Sequence, residues 1–214
     1  MLFMSLKTNV YVDGFNLYYG CLRHSPHKWL DLAKLCQLLL PKNQINRIRY
    51  FTAQVTPRAS DPRQGQRQQT YLRALRTIPN LSITMGHFLT SKPWMMKADL
   101  SGKVQVLKTE EKGSDVNLAS YILTDAYESD YDILVVISND SDLVYPIDYV
   151  ERKLGKVVGI INPHENPSYQ LKTAATFYKK IRPAVLAASQ FPQTMTDKDG
   201  TFHRPPDWIN PACP

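Results

Sequence analysis

The 214-residue chain is long enough to bury the core of one sizeable domain, and its 43% hydrophobic, 21% charged composition is ordinary for a globular protein in water. No apolar run approaches the roughly 20 residues that cross a bilayer. The start MLFMSLK is too short, and carries its basic residue on the wrong side, for a secretory signal, so a cytoplasmic protein with no membrane partner is expected. The net charge of +7 favours a polyanionic partner without demanding one.

In chain order, NVYVD (Asn9 to Asp13) has the β-branched and aromatic content of a short strand, and WLDLAKLCQLLL after it has a helical pattern. RIRYFTA (Arg47 to Ala53) is the second strand, PRQGQRQQTYLRALRTI the second helix and LSITMGH (Leu81 to His87) the third strand. Residues 88–109 break the pattern: the turn signal LSGK joins two runs of β character, so an inserted hairpin is expected. Trp94, Met95 and Met96 lie among Lys92 and Lys97 there, forming either a partner or substrate surface or a face packed on the domain. SDVNLASYILTDAYES is the clearest helix, with Val116, Ala119, Ile122, Leu123 and Ala126 at i, i+3, i+4, i+7 spacing, and Asp115 at its mouth on the side expected to face the sheet. DILVVIS (Asp132 to Ser138), the helix DLVYPIDYVERKLG and the strand KVVGIIN (Lys156 to Asn162) follow.

This alternation predicts an α/β fold with a central, mainly parallel sheet between two helical layers. It is expected to fill residues 1–189, with a proline-rich, extended C-terminal arm over 190–214. Trp208 and Ile209 suggest that the arm docks on its own domain or on a neighbouring subunit, which leaves a homo-oligomer open. Cys21, Cys36 and Cys213 are odd in number and contain no CxxC pair, so reduced thiols are expected. CLRHSPH offers Cys21, His24 and His27 but no fourth zinc ligand.

Aspartates stand at three places that such a sheet exposes. Asp13 ends the first strand, Asp115 opens the third helix, and SNDSD (Ser138 to Asp142) follows the fourth strand. Ligand sites in open α/β sheets lie outside the carboxyl ends of the strands at the switch point, so neighbouring first and fourth strands would bring all three places together. Crowded carboxylates either keep protons or bind a cation. Mg2+ or Mn2+, with their preference for oxygen, suit Asp13, Asp115, Asp140 and Asp142, and such an ion can activate water and steady a phosphoryl group. Helix capping accounts for Asp115 and Asp140 singly, but not for Asp13 on a strand end or for four acids at one edge.

The polar neighbours leave alternatives open. Asn16 either orients a water or substrate oxygen or caps the next segment. Lys112, three residues before Asp115, either meets a phosphate or balances the acids. Arg58, Arg63, Arg67, Arg73 and Arg76 have only Asp61 to oppose them, and form either a solvated face or a grip on a nucleic-acid backbone. Tyr18, Tyr19 and Trp94 add aromatic surface for stacking, although aromatics are common in cores.

The motifs VDGFNLY, EKGSDVNLASYILTDAY and DILVVISNDSDLVYPIDYVERKLGKVVGI occur in that order. With them the chain resembles the NYN branch of the PIN-like nuclease superfamily, in particular the bacterial group called LabA-like or DUF88, over most of residues 9–183. The resemblance implies a PIN-like sheet and a metal-dependent ribonuclease site acting on RNA. Asp13, Asp115 and Asp140 would be its principal acids, Asp142 a fourth, and Asn16 an associated polar residue. Two departures stand out: Asn139 where the family commonly has glycine, and Thr176, in AATF, where it commonly has an acid. A phosphatase-type D-x-D is absent because Phe15 holds its second position, and no phosphate-binding glycine motif occurs. The competing expectations are a regulatory or binding module that keeps the metal cluster but turns over little, and a phosphodiesterase acting on DNA or a small nucleotide.

Overall fold

The computed structural model describes residues 6–57 and 60–209. Arg58, Cys213, Pro211, Pro214 and the segment MLFMS therefore lie outside the described residues. The elements in chain order begin with β1 (Lys7–Asp13), α1 (Gly14–Leu17), a π-helical turn (Tyr18–Leu22), α2 (Leu32–Leu39), β2 (Gln44–Ala53) and α3 (Gln64–Leu75). β3 (Leu81–Ser91), β4 (Trp94–Met96), β5 (Lys103–Gln105), β6 (Lys108–Lys112), α4 (Ser114–Tyr127) and β7 (Ile133–Ile137) follow. A 3-10 turn (Ser141–Leu143) leads into α5 (Val144–Arg152), β8 (Val157–Asn162), α6 (Tyr169–Ala174), β9 (Phe177–Lys180) and α7 (Pro183–Ala188). β10 (Thr194–Asp197), β11 (Gly200–His203) and a 3-10 turn at Pro206–Trp208 close the described chain.

Seven strands form one sheet in the order β6-β3-β2-β1-β7-β8-β9, parallel except for β6 at one edge. Its central strands β1, β7 and β8 and the second half of β2 are buried on both faces, which their near-continuous apolar runs require. Along β1 and β7, Val10, Val12, Ile133, Val135 and Ile137 face one core with α2 and α3, while Tyr11, Leu134 and Val136 face a second core with α4 and α5. The architecture is thus a mainly parallel sheet flanked by helices, as a PIN-like fold requires. The chain leaves β1 toward β2 and β3 on one side and places β7, β8 and β9 on the other. The order therefore reverses between β1 and β7, whose residues Val12 and Ile137 are paired.

The clearest helix is rotated relative to its expected stripe. Val116 is 69% exposed, whereas Leu118, Ile122, Asp125 and Ala126 are buried. The buried face includes a charge: Asp125 accepts a bidentate pair from Arg49 Nε and Nη2 at 2.7 and 2.8 Å and a bond from the Tyr11 hydroxyl at 2.5 Å. A carboxylate on the core face turns the stripe away from the one that purely apolar spacing selects.

Two further differences concern the periphery. β3 runs to Ser91 and pairs antiparallel with β6, so the base of the inserted hairpin of residues 88–109 continues the main sheet, and only β4 and β5 form a separate ribbon at its tip. Residues 190–209 are not extended: β10 and β11 pair, Phe191 and Phe202 are buried, and Trp29, Phe202, Phe191 and Trp208 pack ring against ring. The Trp29 indole N–H donates to Pro192 O at 2.8 Å. Pro192, Pro205 and Pro206 flank the hairpin instead of running through it, and buried Trp29 supplies the docking partner on the same domain.

Candidate metal centre

β1 delivers Asp13 at its carboxyl end, where the chain must turn sharply into α1. A Cβ on Gly14 would lie 2.7 Å from Phe51 O and from the Tyr50 ring, so only glycine permits this turn to pass β2. Asp13 is 6% exposed. Its Oδ1 accepts from the Asn16 N–H at 2.9 Å and its Oδ2 from the Ser138 hydroxyl at 3.0 Å, so both carboxylate oxygens are oriented.

Asp115 comes from the first turn of α4. Gly113, with φ of 93°, makes the left-handed step between β6 and that helix. Glu111 reaches across the step and accepts from Ser114 N–H and Oγ at 3.1 and 2.6 Å, while the same hydroxyl lies 3.3 Å from Asp115 Oδ1. Asp140 follows β7 and caps the 3-10 turn by accepting from Asp142 N–H at 3.0 Å. Its own N–H donates to Ser138 Oγ at 3.1 Å, so one hydroxyl ties Asp13 to the Asp140 backbone.

One carboxylate oxygen from each of Asp13, Asp115 and Asp140 lies within 4.8 Å of the other two. Asp13 is buried, Asp140 half-buried and Asp115 exposed. Burial, joined by repulsion from Asp115 and Asp140 and opposed by the bonds from Asn16 and Ser138, pushes the Asp13 pKa up to about 6. Asp115 is raised too, by desolvation and then by the charges of Asp140, Glu111 and Asp142. Three converging carboxylates, with no basic partner among the described residues, form a hard oxygen donor set of the kind that Mg2+ or Mn2+ accepts.

Asp142 is exposed and not a member of this group, although its charge is felt at Asp115. The Asn16 amide oxygen accepts from Asn139 N–H at 2.9 Å, so Asn16 bridges the end of β1 to the loop after β7. Asn139 adopts no left-handed backbone: among the described non-glycine residues only Leu100 and Ser129 have positive φ. Its side chain is a latch instead, donating to Asn166 O at 3.0 Å and accepting from Ser168 N–H at 2.6 Å. The Thr176 hydroxyl accepts from Val158 N–H at 3.1 Å, which holds the start of β8 away from the acids.

The basic residues are more dispersed. Lys112 is exposed, with its ammonium 3.5 Å from Glu110. Arg63 and Arg67, at the site end of α3, pair with Asp207 at 3.2 and 2.9 Å, and Arg67 also pairs with Asp61. Arg73 and Arg76 lie about 9–20 Å further along that helix, toward the amino ends of the strands. Arg73 holds Asp197 at 2.6–2.7 Å and lies over the Phe202 ring, so it clasps the C-terminal hairpin. Arg76 lines a surface cleft with that hairpin, remote from the carboxylates.

Sequence reasoning passed over Ser138 and Glu111. Ser138 was visible as the small hydroxyl residue that ends a buried strand inside SNDSD, and Glu111 as the acid three residues before Ser114. The cysteine and histidine cluster has no such role: burial pushes the Cys21 thiol up to about 12, and among the described residues no cysteine or histidine joins a metal-ligating group.

The family model described as NYN domain matches residues 7–182. The chain belongs to the NYN domain family. NYN domains lie within the PIN-like nuclease superfamily, are generally nucleases and depend on divalent metal. A relative from Pseudomonas putida named 6-hydroxy-3-succinoylpyridine 3-monooxygenase is 29% identical over 237 residues, spanning 95% of this chain and 75% of that protein. A crystal structure of a Vibrio parahaemolyticus protein of unknown function superposes with a TM-score of 0.59 at 17% identity, covering 86% of this chain and 97% of that one, a likeness of fold. Among the described residues no helix is long and apolar enough to cross a membrane.

Proposed function

We propose that this NYN domain is a metal-dependent endoribonuclease that hydrolyses RNA phosphodiester bonds at the aspartate cluster. The observation that carries the reading is the meeting of Asp13, Asp115 and Asp140 within 4.8 Å at the carboxyl edge of the sheet. Asp13, Asp115 and Asp140 would hold Mg2+ or Mn2+, with Asp142 close enough to bias its charge. When bound, such an ion supplies an activated water and charge stabilisation at the scissile phosphate. Asn16 and Ser138 hold the Asp13 carboxylate in one orientation, so little reorganisation is needed when the substrate arrives. Glu111 orders the first turn of α4 and thereby the approach of Asp115. Lys112, exposed beside that turn, would meet a phosphate.

A second reading takes its observation from the Pseudomonas putida relative, whose name is that of a monooxygenase acting on a substituted pyridine. The all-carboxylate donor set favours the nuclease over it, since iron oxygenases combine histidine with carboxylate. The experiment incubates the purified protein with labelled single-stranded RNA, structured RNA and DNA in manganese, magnesium or chelator. Parallel samples follow oxygen uptake with 6-hydroxy-3-succinoylpyridine and reduced nicotinamide. RNA cleavage that needs metal and is abolished in Asp115→Asn and Asp140→Asn is expected. Oxygen uptake without cleavage replaces the proposal with the second reading. Neither activity, with RNA binding retained, leaves a regulatory module.

A further inference from the structure

Four aromatic rings in contact with one another belong to neither apolar core, and one of them, Phe88, is paired across the sheet with Glu111. Phe15 stands two residues after Asp13, in the short helix that Asp13 caps. On one side its ring meets Phe88 edge-on, with centroids 5.9 Å apart. On the other it lies nearly parallel to Tyr19, at 6.5 Å and 22°, and Tyr19 meets Tyr18 edge-on at 5.3 Å. Tyr18 and Tyr19 are 36% and 50% exposed. Both start the π-helical turn Tyr18–Leu22, a widened geometry that often marks functional segments. The Arg23 guanidinium lies over the Tyr19 ring at 5.5 Å from its centroid. Arg23 is exposed, and among the described residues no carboxylate pairs with it.

We propose that Phe88, Phe15, Tyr19 and Tyr18, with Arg23 at one end, form a stacking rail that binds the bases of single-stranded RNA and leads its backbone past Asp13. The inference rests on the nuclease reading for its choice of RNA, and adds the surface that holds the strand. Packing alone does not account for the row. Rings needed for the core are buried, whereas this row keeps half of Tyr19 in water beside an unpaired cation. A base presents a flat π-face to such a ring, and the neighbouring phosphate meets the guanidinium. A duplex hides its base faces, so the rail discriminates in favour of unpaired strands.

The test measures binding apart from cleavage, by fluorescence anisotropy of a labelled oligouridylate in chelator, on the full chain carrying Asp140→Asn. Tyr19→Ala in that background is expected to weaken binding roughly 5- to 150-fold, and Tyr19→Trp to retain it. Arg23→Ala is expected to lower the salt dependence by about one counterion. A duplex of equal length should bind more weakly and ignore Tyr19→Ala. Circular dichroism and melting of each variant confirm that the exposed substitutions leave the fold intact. No measurable binding by the parent, or binding that Tyr19→Ala and Phe15→Leu leave unchanged, overturns the rail. So does tyrosine quenching by 6-hydroxy-3-succinoylpyridine that RNA fails to reverse, which would make the row a small-ring site. Tyr19-dependent binding without metal-dependent cleavage in the Asp140-intact protein sinks the nuclease and keeps the rail. Cleavage indifferent to Tyr19→Ala does the reverse.

Discussion

Asp13→Asn separates what the site costs the fold from what it gives to function. Asp13 is 6% exposed, and its pKa stands at about 6, against about 4 for a free aspartate. At 1.36 kcal/mol per tenfold in proton affinity, ionising it in the folded protein costs about 3 kcal/mol. The folded pKa is the higher one. The cost is therefore absent below about pH 4, where the carboxyl is neutral in both states, and complete once pH passes about 6, so stability falls as pH rises through that window. Asparagine keeps an oxygen for the Asn16 N–H and an amide that the Ser138 hydroxyl can accept. In chelator at pH 7.5, Asp13→Asn is expected to melt higher by up to about 3 kcal/mol, roughly 6–12 °C for a chain of this size, with the gap closing toward pH 4. Manganese at a hundredfold over its dissociation constant is expected to stabilise the parent by about 2.7 kcal/mol and the variant hardly at all. Calorimetry at several pH values, with chelator or manganese, reads both effects. A variant that melts below the parent at pH 7.5 refutes the claim of a strained carboxylate, and an equal manganese shift in both proteins removes Asp13 from the metal centre.

Asp125→Ala leaves Arg49 buried without its carboxylate, and should cost about 3–5 kcal/mol in urea denaturation. Gly14→Ala forces a Cβ against Phe51 O and should destabilise by about 1–3 kcal/mol, with manganese affinity falling as Asp13 shifts. Arg73→Ala releases Asp197 and Phe202, so limited proteolysis should cut residues 190–209 sooner, with the melting point of the sheet little changed.

The parallel sheet and its switch point were legible because fully buried strands leave continuous apolar runs and the helices between them leave turn signals. DILVVIS and NVYVD are of this kind, and they are neighbours in the sheet. The stripe on α4 was misread because Asp125 behaves as a core residue only when Arg49 and Tyr11, distant in sequence, arrive to satisfy it. The C-terminal hairpin was hidden for a related reason. Its short alternation, Met195 and Phe202 inward, carries little signal until buried Trp29 gives it a surface to cover. β9 is likewise four residues long and, with Phe177 and Tyr178 half-buried and Lys179 and Lys180 exposed, joins the sheet only by its pairing with β8.

At the site, the legible part was the part set by chain direction. A strand end, a helix start and a post-strand loop each place one carboxylate at the same edge, whatever the side-chain details. What distinguishes Asp140 from Asp142 is a single local bond, the Asp142 N–H to Asp140 Oδ1, which holds Asp140 as the cap while Asp142 stays outside the cluster. Spacing alone does not separate two aspartates two residues apart. The arginines show the converse. Their density in α3 is a property of sequence, but whether a guanidinium is available to a ligand depends on Asp197 and Asp207 returning from 120 or more residues away. The charges left for a polyanion are consequently those without such a partner, and Arg23, resting on the Tyr19 ring with no carboxylate paired to it among the described residues, is one of them.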